Sequence, residues 1–598
     1  MGGRGGAQRR PGAWDVAKTG ASLRSSPATH PGFVSLYSRL CVFIFQVLCL
    51  YIRDRFREFS QSKLRSIPTP VTASEPDVNF DLIIKNGWVI DGTGGPPYRA
   101  DIGLLDTMIG DMGRLEGATA RRELDAAGRY VVPGFIDTHV HGDLMLLADP
   151  IHLPALRQGV TTYIIGQDGS SFAPASPATL DYMRRYTAGF NGNPSEVEYF
   201  WSTIPEYLAR FDRRTALNVA YLIPNGNIRM EVMGLDPRPA TDAEIKAMQN
   251  LVREGMDAGA VGLSTGLEYI PSRYADTREI SALCEAIVAQ NGVYVTHMRE
   301  YGLNAAVGMH EVYEIVKATG VAAHVSHYNG PANLLLPLVD EGRALGLDLT
   351  YDTYPYLMGS TILGMVALPP WVQEGGIEAT LERLADPGIR ARLNREWFSK
   401  PTPYPLDTTT ITMTANPDWR WAEGLKVTEA AERAGMPPGD FVCESLIASG
   451  MAVGIFGFRA GVRTDEDVRA ILRHPAHMAG SDGIFCGSSP HPRGWGAFAR
   501  FLGHHTRKLG DYTWPEAVTH LATHAARRYR LTDRGILRPG FVADIAIFDP
   551  VTVTDHSTYA QGRALAEGVD HVLVNGTLVL ENGEPTGATP GRALRRGL

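Results

Sequence analysis

Cysteine, net positive charge and long apolar runs are all scarce in this 598-residue chain. The five cysteines (Cys41, Cys49, Cys284, Cys443 and Cys486) are scattered and form no C-x-x-C pair. This argues against a disulfide framework and favours a reducing, cytoplasmic location. A net charge of −8 gives no indication of the basic surface that nucleic acids bind, so no nucleic-acid partner is expected. An apolar fraction of 44% and a charged fraction of 20% are those of a soluble globular protein.

Residues 1–77 differ in composition from the rest and predict a poorly ordered leader. They begin rich in glycine and arginine, and residues 40–52 form an apolar run flanked by basic residues. The run is shorter than the roughly 20 residues that a membrane-spanning helix needs. Three interpretations stay open: weak contact with a membrane surface, a packing segment, or a mistranslated leader. None of them affects the chemistry.

Both ends of the remaining chain have the pattern of β-hairpins. Apolar residues flank Asn86-Gly87 within residues 81–91, and the same design recurs around Asn575-Gly576 within residues 571–580. Asn-Gly between apolar runs is a strong signal for a two-residue hairpin turn. Residues 78–132 and 540–590 are therefore predicted to form a small β-sandwich.

The middle of the chain, residues 133–539, alternates short apolar runs with segments of helical length. The eight predicted strands are Phe135–His141, Thr161–Gly166, Leu217–Ile223, Gly262–Gly266, Tyr294–Met298, Ala323–Ser326, Leu347–Thr353 and Ala479–Asp482. Helices are expected over Asp276–Gln290 and Asn304–Thr319, among others. Eight such units predict an α/β fold, a (β/α)8 TIM-like barrel. The gap between the last two strands is too long for one crossover, so residues 361–477 are predicted to contain an insertion near the barrel mouth.

Metal-ligand side chains stand at the ends of five of these eight runs. In a parallel barrel, side chains at the carboxyl ends of the strands converge on one site. The four histidines and two aspartates found at these ends suit one or two Zn²⁺ ions, with Mn²⁺ or Co²⁺ as alternatives. For the histidines, burial with backbone partners is the alternative, and for Asp168 a turn before Gly169. The predicted ligands are His139, His141, Asp168, His297, His327 and Asp482.

Eight segments together resemble the amidohydrolase superfamily, and within it the N-acyl-D-amino-acid deacylases, or D-aminoacylases. The resemblance covers about residues 80–585. No single segment identifies the family, but the eight segments in combination are specific for it. It implies a barrel with a β-sandwich and a metal-dependent hydrolase of linear amides. The segments are Val131–His141, Gly159–Thr162, Gly262–Gly266, Thr296–Arg299, Tyr354–Thr361, Gly480–Gly483, Pro490–Arg493 and Gly540–Asp544.

The resemblance also implies roles for individual residues. The family's histidine ligands match His139, His141, His297 and His327, and its catalytic aspartate matches Asp482. Its substrate-holding tyrosine and serine match Tyr354 and Ser360, and Arg299 matches the arginine that follows the fifth-strand histidine. Arg299 and Arg493 are the candidates for binding a substrate carboxylate. A structural ion pair is the alternative for Arg299, and anchoring a proline-rich loop is the alternative for Arg493.

The chain departs from the family pattern at three positions. Asp168 stands where many members have a cysteine ligand, and a carboxylate is a harder ligand than a thiolate. Asn329 replaces a lysine, and Asn225 replaces a histidine expected near the end of the third strand. If that lysine meets the substrate carboxylate in the family, charge recognition here comes from another residue.

The expected reaction is hydrolysis of an N-acyl-D-amino acid to a carboxylic acid and a free D-amino acid. Asp482 is expected to accept and return the proton, and the Tyr354 hydroxyl to stabilise the oxyanion. A hydantoinase-like cyclic amidase is one alternative, although Gly262–Gly266 lacks the lysine that such enzymes carry there. A non-catalytic scaffold is another. The expected partner is the small-molecule substrate alone, and the oligomeric state is open.

Overall fold

Both ends of the chain contribute to one nine-stranded sheet. The computed structural model describes residues 79–400, 404–458 and 463–596, and strands are numbered along the chain. The sheet has the order β22-β21-β20-β19-β5-β1-β2-β3, and β4 also pairs with β1. Apolar residues of β1, β2, β4, β5, β19 and β20 share one core, so the sheet folds over itself as the predicted sandwich. Its strands are β1 (Asn79–Val89), β2 (Tyr98–Leu105), β3 (Met108–Gly113), β4 (Thr119–Asp125), β5 (Tyr130–Pro133), β19 (Ile545–Phe548), β20 (Val569–Val574), β21 (Thr577–Glu581) and β22 (Glu584–Pro585).

The two Asn-Gly pairs have different structures. Asn575 and Gly576 join β20 to β21 as a two-residue turn, with φ of 48° and 75°, and confirm the second predicted hairpin. The first predicted hairpin is wrong, because Asn86 and Gly87 form a bulge inside β1, which pairs with β2 on both sides of it. A Cβ on Gly87 would lie 2.5 Å from a Val131 methyl group. This glycine therefore permits close approach of β5 rather than a chain reversal.

The barrel has eight parallel strands, as predicted, in the order β17-β13-β12-β11-β10-β9-β8-β6. Every residue of β8, β9, β10 and β11 is buried, as expected for strands covered on both faces. The observed bounds differ from the predicted ones by a few residues at most ends. The strands are β6 (Phe135–Asp137), β8 (Val160–Ile165), β9 (Asn218–Pro224), β10 (Gly262–Gly266), β11 (Val293–His297), β12 (Ala322–Val325), β13 (Leu349–Thr353) and β17 (His477–Ala479).

The first predicted strand is interrupted, and the break helps to close the barrel. After β6 the chain continues as β7 (Val140–His141), which pairs in parallel with β18 (Gly483–Ile484) rather than with β8. The Thr138 N–H donates to the Ala479 carbonyl at 3.2 Å, and the Asp482 N–H donates to the His139 carbonyl at 2.7 Å. These bonds join the first and last strands where the predicted ligands lie.

The insertion between β13 and β17 forms a separate small layer. It contains a three-stranded antiparallel sheet of β14 (Gly359–Ile362), β15 (Thr410–Thr414) and β16 (Val453–Gly457) in the order β14-β16-β15. Its longer helices are Gly376–Ala385, Pro387–Glu396, Val427–Ala434 and Pro438–Ala448. This agrees with the prediction of an insertion in residues 361–477.

Helices follow the barrel strands as the alternating pattern predicts. The longer ones are Pro177–Tyr186, Asn225–Met233, Asp242–Asp257, Thr277–Val288, Ala305–Thr319, Ala332–Ala344, Asp465–Leu472 and Arg493–Arg500. The two helices predicted by bounds are found within two residues of those bounds. Among the described residues, no helix has the length and apolar character that crossing a bilayer requires. The apolar run at residues 40–52 lies outside the described residues, and the predicted domain bounds stay predictions.

Candidate metal centre and active site

The six predicted ligands lie together at the carboxyl ends of the barrel strands. His139 directly precedes β7, and His141 is the last residue of that strand. Asp168 follows β8, and His297 ends β11. His327 follows β12, and Asp482 lies between β17 and β18. Each of the six is at most 6% exposed. Residues that are up to 343 positions apart in the sequence therefore converge on one buried cluster.

Two overlapping groups of side chains have the spacing of metal ligands. His139, His141 and Asp168 form one group, and Asp168, His297 and His327 form the other. Within each group, one ligand atom per residue lies within 4.8 Å of the others. Because Asp168 belongs to both, its carboxylate lies where it can bridge two ions.

The distances to Asp168 show how central its carboxylate is. Its Oδ1 lies 3.6 Å from the Nε2 atoms of His139 and His327. Its Oδ2 lies 3.6 Å from Nε2 of His141 and from Nδ1 of His297. Four imidazole nitrogens therefore surround one carboxylate.

Three of the cluster residues have backbone conformations that side-chain-bearing residues seldom adopt. The φ angles of Asp168, His327 and Asp482 are 55°, 34° and 50°. Positive φ of this kind costs of order 1–3 kcal/mol per residue and is concentrated at functional sites. The surrounding structure stabilises these conformations, and they direct the three side chains into the cluster.

The residues present fit a divalent cation. Both ring nitrogens of His139 and Oδ1 of Asp168 are buried and have no hydrogen-bond partner among the described residues. Buried polar atoms without partners are rare, because each costs free energy comparable to a lost hydrogen bond. Imidazole nitrogens and carboxylate oxygens are the donor set of zinc and similar ions. A cation would satisfy these atoms.

The electrostatics of the cluster also favour positive charge at its centre. Burial lowers the pKa of His139, but Asp168 and Asp352 outweigh it and raise that pKa to about 9. Burial likewise lowers the pKa of His297, and Asp168 and Glu268 raise it to about 9. Burial raises the pKa of Asp168, yet the surrounding histidines hold it well below its usual range.

Two carboxylates outside the cluster orient its histidines. The Glu268 Oε2 lies 2.8 Å from Nε2 of His297, which leaves Nδ1 of that ring facing Asp168. The Asp352 Oδ1 accepts from the His327 N–H at 2.8 Å, and its Oδ2 lies 2.9 Å from Nε2 of His324. Nδ1 of His139 lies 3.6 Å from the same Oδ2, too far for a hydrogen bond. Such outer partners fix the ring orientation of ligand histidines. Glu268 follows β10 by two residues and Asp352 lies within β13, so both stand near the strand ends where sequence reasoning can expect partners of the ligand histidines.

The cluster opens into a cavity of about 270 Å³. Tyr354 and Ser360 both line it, as the resemblance implies for substrate-holding residues. The Tyr354 ring lies between two guanidinium groups, 4.7 Å from Arg493 and 5.0 Å from Arg463. The Ser360 Oγ donates to the Ile455 carbonyl at 2.7 Å, which ties β14 to β16. The cavity wall is therefore partly built by the insertion.

The structure places the two predicted carboxylate-binding arginines outside the cavity lining. Arg299 donates to Glu311 at 3.0 and 3.1 Å and to the carbonyls of Arg273 and Ala275, which is the structural ion pair that was its alternative. Arg493 is fully buried, with Nη1 2.8 Å from Oδ2 of Asp482. Each guanidinium is thus committed to the protein itself.

The two asparagines that replace family residues have different environments. Asn225 is buried at the end of β9, where its Oδ1 accepts from the Ser272 hydroxyl at 2.6 Å. Asn329 lines the cavity, and its Nδ2 donates to the His327 carbonyl at 3.0 Å. Asn329 therefore touches the space above the cluster but offers no charge to it.

Comparisons with known proteins agree with this architecture. The amidohydrolase family model matches residues 122–580. An N-acyl-D-glutamate deacylase and a D-aminoacylase of Alcaligenes xylosoxydans xylosoxydans are 34% and 33% identical to the chain. Each covers 86% of this chain, and the chain covers 97% and 98% of them. The crystal structure of an N-acyl-D-glutamate deacylase from Bordetella bronchiseptica, complexed with zinc and a phosphonate inhibitor, has a TM-score of 0.72. It is 31% identical and covers 86% of this chain and all of its own. With a family model over most of its length and relatives matched almost end to end, the chain belongs to the amidohydrolase family.

Proposed function

We propose that this chain is a metal-dependent deacylase that hydrolyses N-acyl-D-amino acids to a carboxylic acid and a free D-amino acid. The observation that carries the proposal is the carboxylate of Asp168 among four imidazoles, with Asp482 beside them at the floor of a cavity. The relatives with D-aminoacylase and deacylase activities match nearly the whole described chain. The substrate is a small molecule, consistent with the size of the cavity.

Asp168, His297 and His327 would hold the tighter ion, and His139, His141 and Asp482 would hold or approach a second. Zinc is the proposed ion, and Mn²⁺ and Co²⁺ are alternatives because Asp168 supplies oxygen rather than sulfur. A bound divalent cation would acidify a water ligand and polarise the scissile carbonyl. The remaining chemistry belongs to the side chains of the cavity.

Asp482 is suited to carry the proton. Burial raises its pKa, but Arg493 and the neighbouring histidines lower it to about 2, so the carboxylate is ionised at neutral pH. It can accept a proton from the attacking water and deliver it to the leaving amine, and it is regenerated between the two steps. Its Oδ1 lies 3.3 Å from Nε2 of His141.

Tyr354 is suited to hold the reacting carbonyl oxygen. Burial raises the pKa of its phenol, so the hydroxyl keeps its proton and can donate it in a hydrogen bond. The guanidinium groups of Arg463 and Arg493 on its ring make the surroundings positive. A donor of this kind stabilises the oxyanion as it develops in the transition state.

A substrate screen on the purified protein tests the proposal. N-acetyl-D-amino acids, their L-isomers and hydantoin are each assayed with zinc, cobalt and manganese, and bound metal is measured in the same preparation. Turnover of D-isomers with bound metal is the expected result. Hydantoin turnover alone would indicate a cyclic amidase, and a protein without bound metal or turnover would indicate a scaffold.

A cytoplasmic location is a separate part of the proposal. It is supported by the scattered cysteines, of which Cys284, Cys443 and Cys486 are free thiols in the structure. Cell fractionation tests it, since recovery of the full chain in the membrane fraction would contradict it.

A further inference from the structure

One guanidinium in the cavity has no partner within the described part of the protein. Among the described residues that line the cavity, Arg273 is the only arginine or lysine. Its side chain is half-buried, and no described residue forms a hydrogen bond or an ion pair with its guanidinium. Arginine removed from water is normally paired, because an unpaired charge is costly to desolvate.

The backbone that carries Arg273 is fixed to the cavity wall. The Arg273 N–H donates to the Tyr269 carbonyl at 2.7 Å, and its carbonyl accepts from Nη1 of Arg299 at 3.0 Å. Tyr269 also lines the cavity, and its hydroxyl lies 2.8 Å from Oγ1 of Thr361 in the insertion. The backbone of Arg273 is therefore held in place before a ligand binds, so that binding has to order only its side chain.

The neighbouring arginines are already engaged with the protein. Arg299 is bound by Glu311, and Arg493 is bound by Asp482. Arg463 donates to the Tyr356 carbonyl and to Oγ1 of Thr353. None of the three lies in the cavity lining. Within the described part of the lining, a substrate carboxylate has one guanidinium to bind.

The rest of the lining favours a single carboxylate on the substrate. Glu300 shares the cavity with Arg273 and would repel a second negative charge. The wall contributed by the insertion is apolar and suits an uncharged side chain or acyl group. Its residues are Met365, Val366, Leu368, Pro370 and Trp397.

We propose that Arg273 binds the α-carboxylate of the substrate, an inference that rests on the proposed deacylase function. A guanidinium pairs with a carboxylate through two parallel hydrogen bonds, which fixes both the position and the direction of the ligand. Arg273 thereby takes the charge-recognition role that Asn329 does not supply and that Arg299 and Arg493 were predicted to supply. It is a substrate-binding residue and takes no part in proton transfer.

The test compares one substrate with and without its negative charge. The best N-acetyl-D-amino acid from the screen and its primary amide are assayed by acetate release, with wild type, Arg273→Gln and Arg273→Lys. The matched control is Arg114→Gln in the terminal sheet, where the side chain is 86% exposed. Zinc content and thermal unfolding are recorded for every variant.

We expect Arg273→Gln to lower kcat/KM for the acid by about 10- to 100-fold, mainly through KM, as for loss of a charged hydrogen-bonded pair. For the amide the loss should stay below about 3-fold, and Arg273→Lys should recover part of the loss on the acid. Equal losses on acid and amide, or no loss on the acid, would overturn the role of Arg273. If Arg273→Gln does not fold, the wild-type protein alone still tests the proposal. Equal wild-type kcat/KM values for the acid and for its primary amide would overturn it, because a carboxylate-binding residue must favour the acid. A wild type inactive on every N-acyl-D-amino acid would instead reject the proposed function.

Discussion

Nη1 of Arg493 lies 2.8 Å from Oδ2 of Asp482, on a fully buried guanidinium. The other carboxylate oxygen of Asp482 faces His141, 3.3 Å from its Nε2. Nη2 of Arg493 also donates to the Ser360 carbonyl at 3.0 Å. Arg493 therefore positions the proposed proton carrier and joins it to the insertion.

Removing the charge of Asp482 should stop turnover. Asp482→Asn keeps the shape of the side chain but cannot accept a proton, so kcat should fall by at least about 10²-fold. Folding and the metal held by Asp168, His297 and His327 should stay near normal. Asp340→Asn, whose side chain is 68% exposed, is the matched control. Wild-type activity in Asp482→Asn would exclude it as the proton carrier.

Arg493→Met separates two roles for this arginine. Breaking a buried ion pair by removing one partner costs about 3–5 kcal/mol, so urea unfolding should show a large loss of stability. If Arg493 positions Asp482, kcat should fall while KM changes little. A rise in KM with unchanged kcat would instead support the role in substrate binding that the sequence predicted.

Tyr354→Phe tests the oxyanion donor. Loss of one such donor lowers kcat by about 10²- to 10³-fold where it has been measured, and a similar loss is expected here. Stability and metal content should not change, because the ring keeps its place between Arg463 and Arg493. Tyr98→Phe, on a side chain half exposed in the terminal sheet, serves as control. A loss below 3-fold would remove Tyr354 from the mechanism.

Changes at Asp168 should alter metal content before they alter fold. Asp168→Asn removes the negative charge shared by both ligand groups, so bound zinc after gel filtration should fall markedly. Asp168→Cys offers a softer thiolate and should shift preference from Mn²⁺ and Co²⁺ toward Zn²⁺. Elemental analysis and activity after chelation and reloading measure both effects. Unchanged zinc in Asp168→Asn would contradict the ligand role.

His477 should contribute to acid sensitivity away from the metal centre. Burial lowers its pKa from 6.5 to about 3, so the folded state keeps it neutral where the unfolded state takes up a proton. The free energy of unfolding should therefore be fully present above pH 6.5 and fall as the pH drops toward 3, by about 1.4 kcal/mol per pH unit for one proton. In His477→Asn, the free energy of unfolding should fall less steeply with decreasing pH, by up to about 1.4 kcal/mol per pH unit, in denaturant unfolding measured from pH 7 to 4. An unchanged slope would show that His477 is not the group responsible.

Much of the fold could be predicted because its pattern is local. Apolar runs with helical segments between them gave all eight barrel strands, and Asn575-Gly576 gave its hairpin. The same dipeptide at Asn86-Gly87 was misinterpreted because a bulge and a turn share one local signal. Pairing of β1 with β2 on both sides of the dipeptide decided between them.

The sequence by itself determined the barrel, the sandwich and the convergence of His139, His141, Asp168, His297, His327 and Asp482, because strand ends in a parallel barrel meet at one edge. Only the tertiary structure decided which charges remain available there. Arg299 and Arg493 are committed to Glu311 and Asp482, partners that lie 12 and 11 positions away. Arg273 lines the cavity and has no such partner among the residues that the structure describes. The physical reason is that the pairing of a charge depends on three-dimensional distance and burial, which residue type and spacing do not specify.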